Sequence, residues 1–195
     1  MKPRTRLFFA LAAGFGAMIA AVLYGMNGFP VHATAEPPSV LDKLKLVKSQ
    51  TPEPNVSFAD AAGKSLKLAD FRGRYVLVNL WATWCGPCIT ELPALAKLNA
   101  ALPQDRVTVL PIDLEKLDAD KVGAFLAMHE AGALPVYIDR ELSALKGFTA
   151  NELPLTILID ADGHEVARAA GAQKWDDPAS VAYLKTISAP PKPAS

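Results

Sequence analysis

"YVLVNLWATWCGPCITELPALAKL", Tyr75–Leu98, changes its apolar pattern part-way along. Tyr75–Ala82 is a mostly continuous apolar run, the mark of a strand buried on both faces. From Cys85 on, Leu92, Leu95, Ala96, Leu98 and Leu102 recur at roughly helical spacing, so Cys85–Leu102 reads as a helix. The only two cysteines of the chain, Cys85 and Cys88, fall at this junction. Such a pair is a structural disulfide, half of a metal site, or a redox centre.

The rest of the chain weighs these readings. Zinc takes four ligands, and His32, His129 and His164 lie far apart in sequence, so no metal is expected. A static disulfide closing so short a loop removes little chain entropy and does not call for a strand-to-helix junction. A helix N-terminus offers unpaired amides and partial positive charge. Both favour a thiolate, and such positions lower a thiol pKa from about 8.5 to roughly 3.5–7.5. Cys85 is therefore the expected nucleophile. Cys88, one turn on, is placed to resolve a mixed disulfide formed at Cys85.

Outward from the motif, strands alternate with helices. "VSFADAAGKSLKLADF" reads as a β-hairpin turning at Ala61-Ala62-Gly63. "RVTVLPIDL" is a second buried strand, and "DADKVGAFLAMHEAG" an amphipathic helix. Asp118 or Asp120 caps that helix, Val122, Phe125, Leu126 and His129 share a face, and Gly132 ends it. "LPVYID" is a short strand and "ELSALKGF" a helical turn. "LTILIDADGHEVARAAG" is a hairpin turning at Asp162-Gly163. "DDPASVAYLKTI" is a last helix with Asp177 at its cap and Pro178 at its first position. This order implies an α/β fold with a mixed central sheet flanked by helices.

Composition excludes one class of partner. The 20 basic and 20 acidic side chains cancel, and no long basic run lies outside residues 1–6, so nucleic-acid binding is unsupported. Two cysteines cannot build a small secreted disulfide scaffold.

The N-terminus predicts export. Lys2, Arg4 and Arg6, in a cytoplasmic segment 1–6, precede an apolar run over 7–29 in which Asn27 is the strongly polar side chain. About 20 apolar residues span a bilayer. The next basic residue is Lys43, so the positive-inside rule puts everything after Phe29 outside the cytoplasm. An uncleaved anchor in the inner (cytoplasmic) membrane is the preferred reading. A signal peptide cleaved after Ala33-Thr34-Ala35 is the alternative, and either one exports the domain. Residues 30–52 read as a tether, with a short helical turn at Asp42–Val47. The domain is expected over 53–187 and a disordered, proline-rich tail over 188–195.

Trp84-Cys85-Gly86-Pro87-Cys88 matches the thioredoxin active-site motif residue for residue. The longer strings "FADAAGKSLKLADFRGRYVLVN", "VLVNLWATWCGPCITELPAL" and "LPLTILIDADGHEVARAAG" resemble the membrane-anchored, extracytoplasmic TlpA/ResA-type thioredoxins, from Val56 to Ile187. The resemblance implies a thioredoxin fold with an N-terminal β-hairpin extension and a central βα insertion. It implies that Pro154 follows a cis peptide bond opposite the cysteines and that Leu153 offers backbone groups to an extended client. Leu155 then replaces the first threonine of the family's "PTTFLID" form, and Thr156 matches the second. Pro93 matches the proline that kinks the active-site helix. Thioredoxin carries a buried aspartate where this chain has Asn79, which puts a thioredoxin-style proton relay in doubt. Glu91 matches the acidic residue of the branch's "CxxExP" pattern; it acts on Cys88 or is a solvated helix residue. Trp84 is expected to shield the disulfide and help form a docking surface with Gly86 and Pro87, and Trp81 to be core. No second disulfide and no cofactor beyond a Cys85–Cys88 disulfide is expected.

The function implied is an extracytoplasmic protein-disulfide reductase, since the Gly-Pro dipeptide is that of thioredoxin, with a potential of about −270 mV. Its expected partners are client disulfides in apocytochrome c or in copper-site assembly proteins of terminal oxidases, and a membrane electron donor of the DsbD/CcdA kind. Two alternatives stand beside it. A peroxiredoxin-like peroxidase would need Pro-x-x-x-Thr-x-x-Cys around a lone cysteine, which Pro87 directly before Cys88 does not supply. A copper chaperone would use CxxxC and a downstream histidine, and the spacing here is CxxC.

Overall fold

The computed structural model describes residues 45–189. The basic segment 1–6, the apolar run 7–29, the Ala33-Thr34-Ala35 site, the tether as far as residue 44 and the tail from residue 190 lie outside the described residues. No helix among the described residues is long and apolar enough to cross a membrane.

The strands are β1 (Lys45–Pro52), β2 (Ser57–Asp60), β3 (Ser65–Lys67), β4 (Tyr75–Trp81), β5 (Val107–Asp113), β6 (Tyr137–Ile138), β7 (Leu155–Ile159) and β8 (His164–Ala170). They form one sheet in the order β1-β8-β7-β4-β5-β6-β2-β3. The α-helices are α1 (Gly86–Ala101), α2 (Ala119–Met128), α3 (Ser143–Gly147) and α4 (Pro178–Ile187). A 3-10 turn, Leu68–Phe71, follows β3.

β4 runs parallel to β5 and antiparallel to β7, so it is a central strand, and a core packs on each of its faces, as its mostly apolar run requires. Its side chains alternate between two cores. Leu77 and Trp81 meet Leu92 and Leu95 of α1, Val122 and Leu126 of α2, and Leu184 of α4. Val76, Val78 and Leu80 meet Phe58, Leu68, Ala144 and Phe148. β5 and β6 are parallel neighbours joined through α2, as a parallel pair requires. The sheet is mixed and flanked by helices, the β2–β3 hairpin sits at one edge, and α2, β6 and α3 supply the central insertion. Both expected hairpin turns place a glycine where φ is positive, Gly63 at 79° and Gly163 at 89°.

Two expectations are corrected. Residues 45–52 are neither tether nor helical turn: they form β1, which pairs antiparallel with β8. An edge strand needs only one backbone partner, and Lys45, Lys48 and Pro52 suit an edge. Such a segment shows no apolar alternation to read. Helix α2 ends at Met128, before Gly132. Glu130 takes the left-handed conformation (φ 56°) and the Ala131 N–H donates to the Leu126 carbonyl at 2.8 Å, a Schellman closure built on a residue other than glycine.

Candidate active site

Cys85 is the N-cap of α1, in extended conformation, and its Sγ accepts the Cys88 backbone N–H at 3.3 Å. The two cysteines form a disulfide with S–S 2.10 Å and Cα–Cα 5.2 Å. The two sulfurs are not equivalent. Cys88 is 0% exposed, while Cys85 is 6% exposed and lies beside Trp84, which is 72% exposed. Trp81 is core, stacked near Phe125 with ring centroids 5.9 Å apart.

β7 brings the opposite wall. Its register sets Leu155 against Leu80 and Thr156 against Asn79, so its first residues lie at the end of β4 that leads to the cysteines. The Leu153–Pro154 peptide is cis. Trp84, Cys85, Pro87, Leu142, Leu145 and Leu153 line a cleft of about 600 Å³, which Gly86 also borders. It is an apolar trough with one sulfur at its rim.

Behind the disulfide is a buried polar cluster. Glu91, one helical turn after Cys88, is 2% exposed, so the solvated-residue reading of this side chain is ruled out. Its Oε1 accepts from Asn79 Nδ2 at 2.7 Å. Its Oε2 accepts from the Gln173 backbone N–H at 2.9 Å and from Trp175 Nε1 at 3.1 Å. Asn79 Nδ2 also donates to Thr156 Oγ1 at 2.9 Å. Burial raises the Glu91 pKa to about 7, against the lowering by its three donors. A carboxyl so poised can take or give a proton near neutrality. Cys88 and Glu91, three apart on α1, share one helix face.

Sequence reasoning missed several of these residues. Gln173 and Trp175 lie in the loop between β8 and α4, far from the motif in sequence; a tryptophan in an otherwise polar loop was the available signal. It also missed the hook under the cysteine loop. Asp113 ends β5 fully buried, its Oδ1 accepts the Glu115 N–H at 2.8 Å, and Glu115 Oε2 accepts the Thr83 N–H at 2.5 Å. Burial raises Asp113 to about 7 as well. Among the described residues the histidines are elsewhere: the His129 ring is tilted against Phe125 with centroids 4.4 Å apart. His164 sits at the β7–β8 turn, where the Asp160 carboxylate is occupied by the N–H groups of Asp162 and His164.

The AhpC/TSA family profile matches residues 49–187. The chain belongs to the AhpC/TSA family. It is similar to the thiol-disulfide oxidoreductase ResA of Bacillus thuringiensis subsp. konkukian, with 30% identity over 177 residues, 89% of this chain and 95% of that relative. ResA of Bacillus subtilis is 26% identical over 167 residues, 85% of this chain and 86% of the relative. Among solved structures, the thioredoxin domain of a thiol-disulfide oxidoreductase from Bacteroides vulgatus superposes with a TM-score of 0.61 at 20% identity. That match covers 73% of this chain and 99% of the other, and it supports the fold alone. With the cysteine geometry, these relatives identify a thiol-disulfide oxidoreductase of the thioredoxin superfamily, of the ResA kind.

Proposed function

We propose that this family member is a protein-disulfide reductase, tethered by residues 7–29 to the inner membrane and acting outside the cytoplasm. The carrying observation is the asymmetry of the pair: Cys85 at the rim of an apolar cleft, Cys88 sealed in with Glu91 behind it. In the reduced protein the Cys85 thiolate attacks one sulfur of a client disulfide lying in the cleft. A Cys85–client bond forms and the client's other sulfur leaves as thiolate. Cys88 then gives its proton to Glu91 and attacks Cys85. The Cys85–Cys88 disulfide forms, the client's remaining sulfur leaves as thiolate, and two electrons have passed to the client. Trp84, Gly86, Pro87 and Leu153 hold the client's backbone and flanking side chains, and Pro154 shapes that wall. Asn79 positions Glu91.

The Gly-Pro dipeptide supports the reducing direction, and ResA-type resemblance supports the clients: the haem-attachment cysteines of apocytochrome c, or copper-site assembly proteins. A membrane donor of the DsbD/CcdA kind would restore the dithiol. Capture tests this. Full-length Cys88→Ser in membranes should retain clients as mixed disulfides on Cys85, identified by mass spectrometry as cytochrome or copper-assembly proteins. Capture of none of these, together with stoichiometric Cu(I) retention against a chelator and no reduction of insulin disulfides, would favour a copper chaperone instead.

A further inference from the structure

The hydrogen bonds around Glu91 leave one atom unused. Both donors to Oε2, the Gln173 N–H and Trp175 Nε1, are donors only, so Oε2 is fixed as an acceptor. A proton on Glu91 therefore belongs on Oε1. There it would meet Asn79 Nδ2, a second donor, at 2.7 Å. Asn79 Oδ1 is buried without a partner. Thr156 Oγ1, which accepts from the same Nδ2, is a hydroxyl and can equally donate.

We propose that the Asn79 side-chain amide is a two-position partner of Glu91 that turns over when Glu91 gains its proton. With Glu91 ionised, Nδ2 donates to Oε1 and to Thr156, as observed. With Glu91 protonated, Oδ1 takes the place of Nδ2 and accepts from both Oε1–H and the Thr156 hydroxyl. The turn exchanges one unpartnered carbonyl oxygen for an unpartnered NH2 at the same place, and the Oε1–H and Thr156 O–H bonds to Oδ1 offset that exchange. Asparagine can do this and aspartate cannot, because only the amide carries a donor and an acceptor at interchangeable positions. Asn79 is thus a positioning residue that serves both charge states. Its use in catalysis rests on the proposed transfer of the Cys88 proton to Glu91.

The other groups that bear on Glu91 are few. Cys88 on α1 does not titrate while in its disulfide. Lys97 on α1 and Lys174 and Asp176 on the β8–α4 loop border a surface groove that Glu91 also lines, with Lys97 paired to Asp176 at 3.1 Å. β7 offers Thr156, and Asp113 of β5 lies on the same face of the sheet.

The oxidised full chain gives the test, since its cysteines are silent. Its Asn side chains are labelled with 15N and its Glu carboxyls with 13C, and it is titrated by NMR from pH 5 to 9. The Asn79 amide protons should be shifted downfield and protected from exchange at high pH. They should lose both properties with the midpoint of the Glu91 carboxyl. In Glu91→Gln the fixed acceptor position takes the Gln oxygen and leaves its NH2 facing Asn79. The Asn79 signals should then sit at the wild-type low-pH values at every pH. In Asp113→Asn the response should persist. Asn79 signals that stay at their high-pH values while Glu91 titrates, or that take those values in Glu91→Gln, overturn the proposal. Loss of the response in Asp113→Asn overturns it too. Insulin-disulfide reduction is read separately: its absence with the amide response intact sinks the proposed function and leaves the switch standing.

Discussion

Glu91 contributes a pH dependence to the stability of this molecule, and its sign follows from its surroundings. Burial lifts its pKa from an ordinary 4.5 to about 7, so the fold accommodates the neutral acid better than the carboxylate. The group's contribution to stability is complete below 4.5 and is lost as pH rises through 7. A shift of that size corresponds to about 3 kcal/mol of unfolding free energy. Asp113, also raised, adds a fall of the same sign. Urea unfolding of wild type and Glu91→Gln at pH 4.5 and pH 8 isolates the Glu91 part. The variant should lose less stability over this range than wild type, by about 3 kcal/mol. Equal losses in the two proteins would contradict the account. At this scale the cysteines were legible because WCGPC is local in sequence. The environment of Glu91 was not, because its donors come from β4 and from a loop some eighty residues away.

Helix α1 delivers the chemistry by packing on the sheet. Leu92, Leu95 and Leu98 are fully buried on the side that meets β4, and Pro93 sits between them inside the helix. Leu95→Ala should cost about 2–5 kcal/mol through its cavity, measured as a lowered urea midpoint. Helix α3, which lines the cleft beside Cys85 through Leu145, is set by a close approach at Gly147. A Cβ there would lie 2.9 Å from Pro54 Cβ and 3.2 Å from Val56 Cγ2. Gly147→Ala should therefore destabilise by about 1–3 kcal/mol and slow client reduction by displacing α3. A more stable and equally active Gly147→Ala protein would contradict this. β4, α1 and β5 were legible from their apolar pattern, and α4 from Asp177 at its cap and Pro178 at its first position. The end of α2 was not, because Glu130 adopts a backbone conformation that its residue type does not advertise.

Over the whole molecule, the sheet extends further than its apolar pattern. β1 covers the edge of β8, so residues 45–52 of the stretch read as tether belong to the domain. A chain beginning at residue 53 should melt a few degrees, about 2–8 °C, below one beginning at residue 40, by thermal circular dichroism. Identical melting would mean that β1 adds nothing. The mixed sheet was readable from the order of strands and helices; the pairing of an edge strand that shows no apolar alternation was not. The sheet sets Cys85 at the cleft and Cys88 sealed in the core, a division of labour between the two thiols. Alkylation of the fully reduced full-length protein with iodoacetamide, followed by peptide mass spectrometry, tests it most directly. Cys85 should be modified rapidly near neutral pH, with Cys88 spared. Modification of Cys88 first, or of both at one rate, would contradict it.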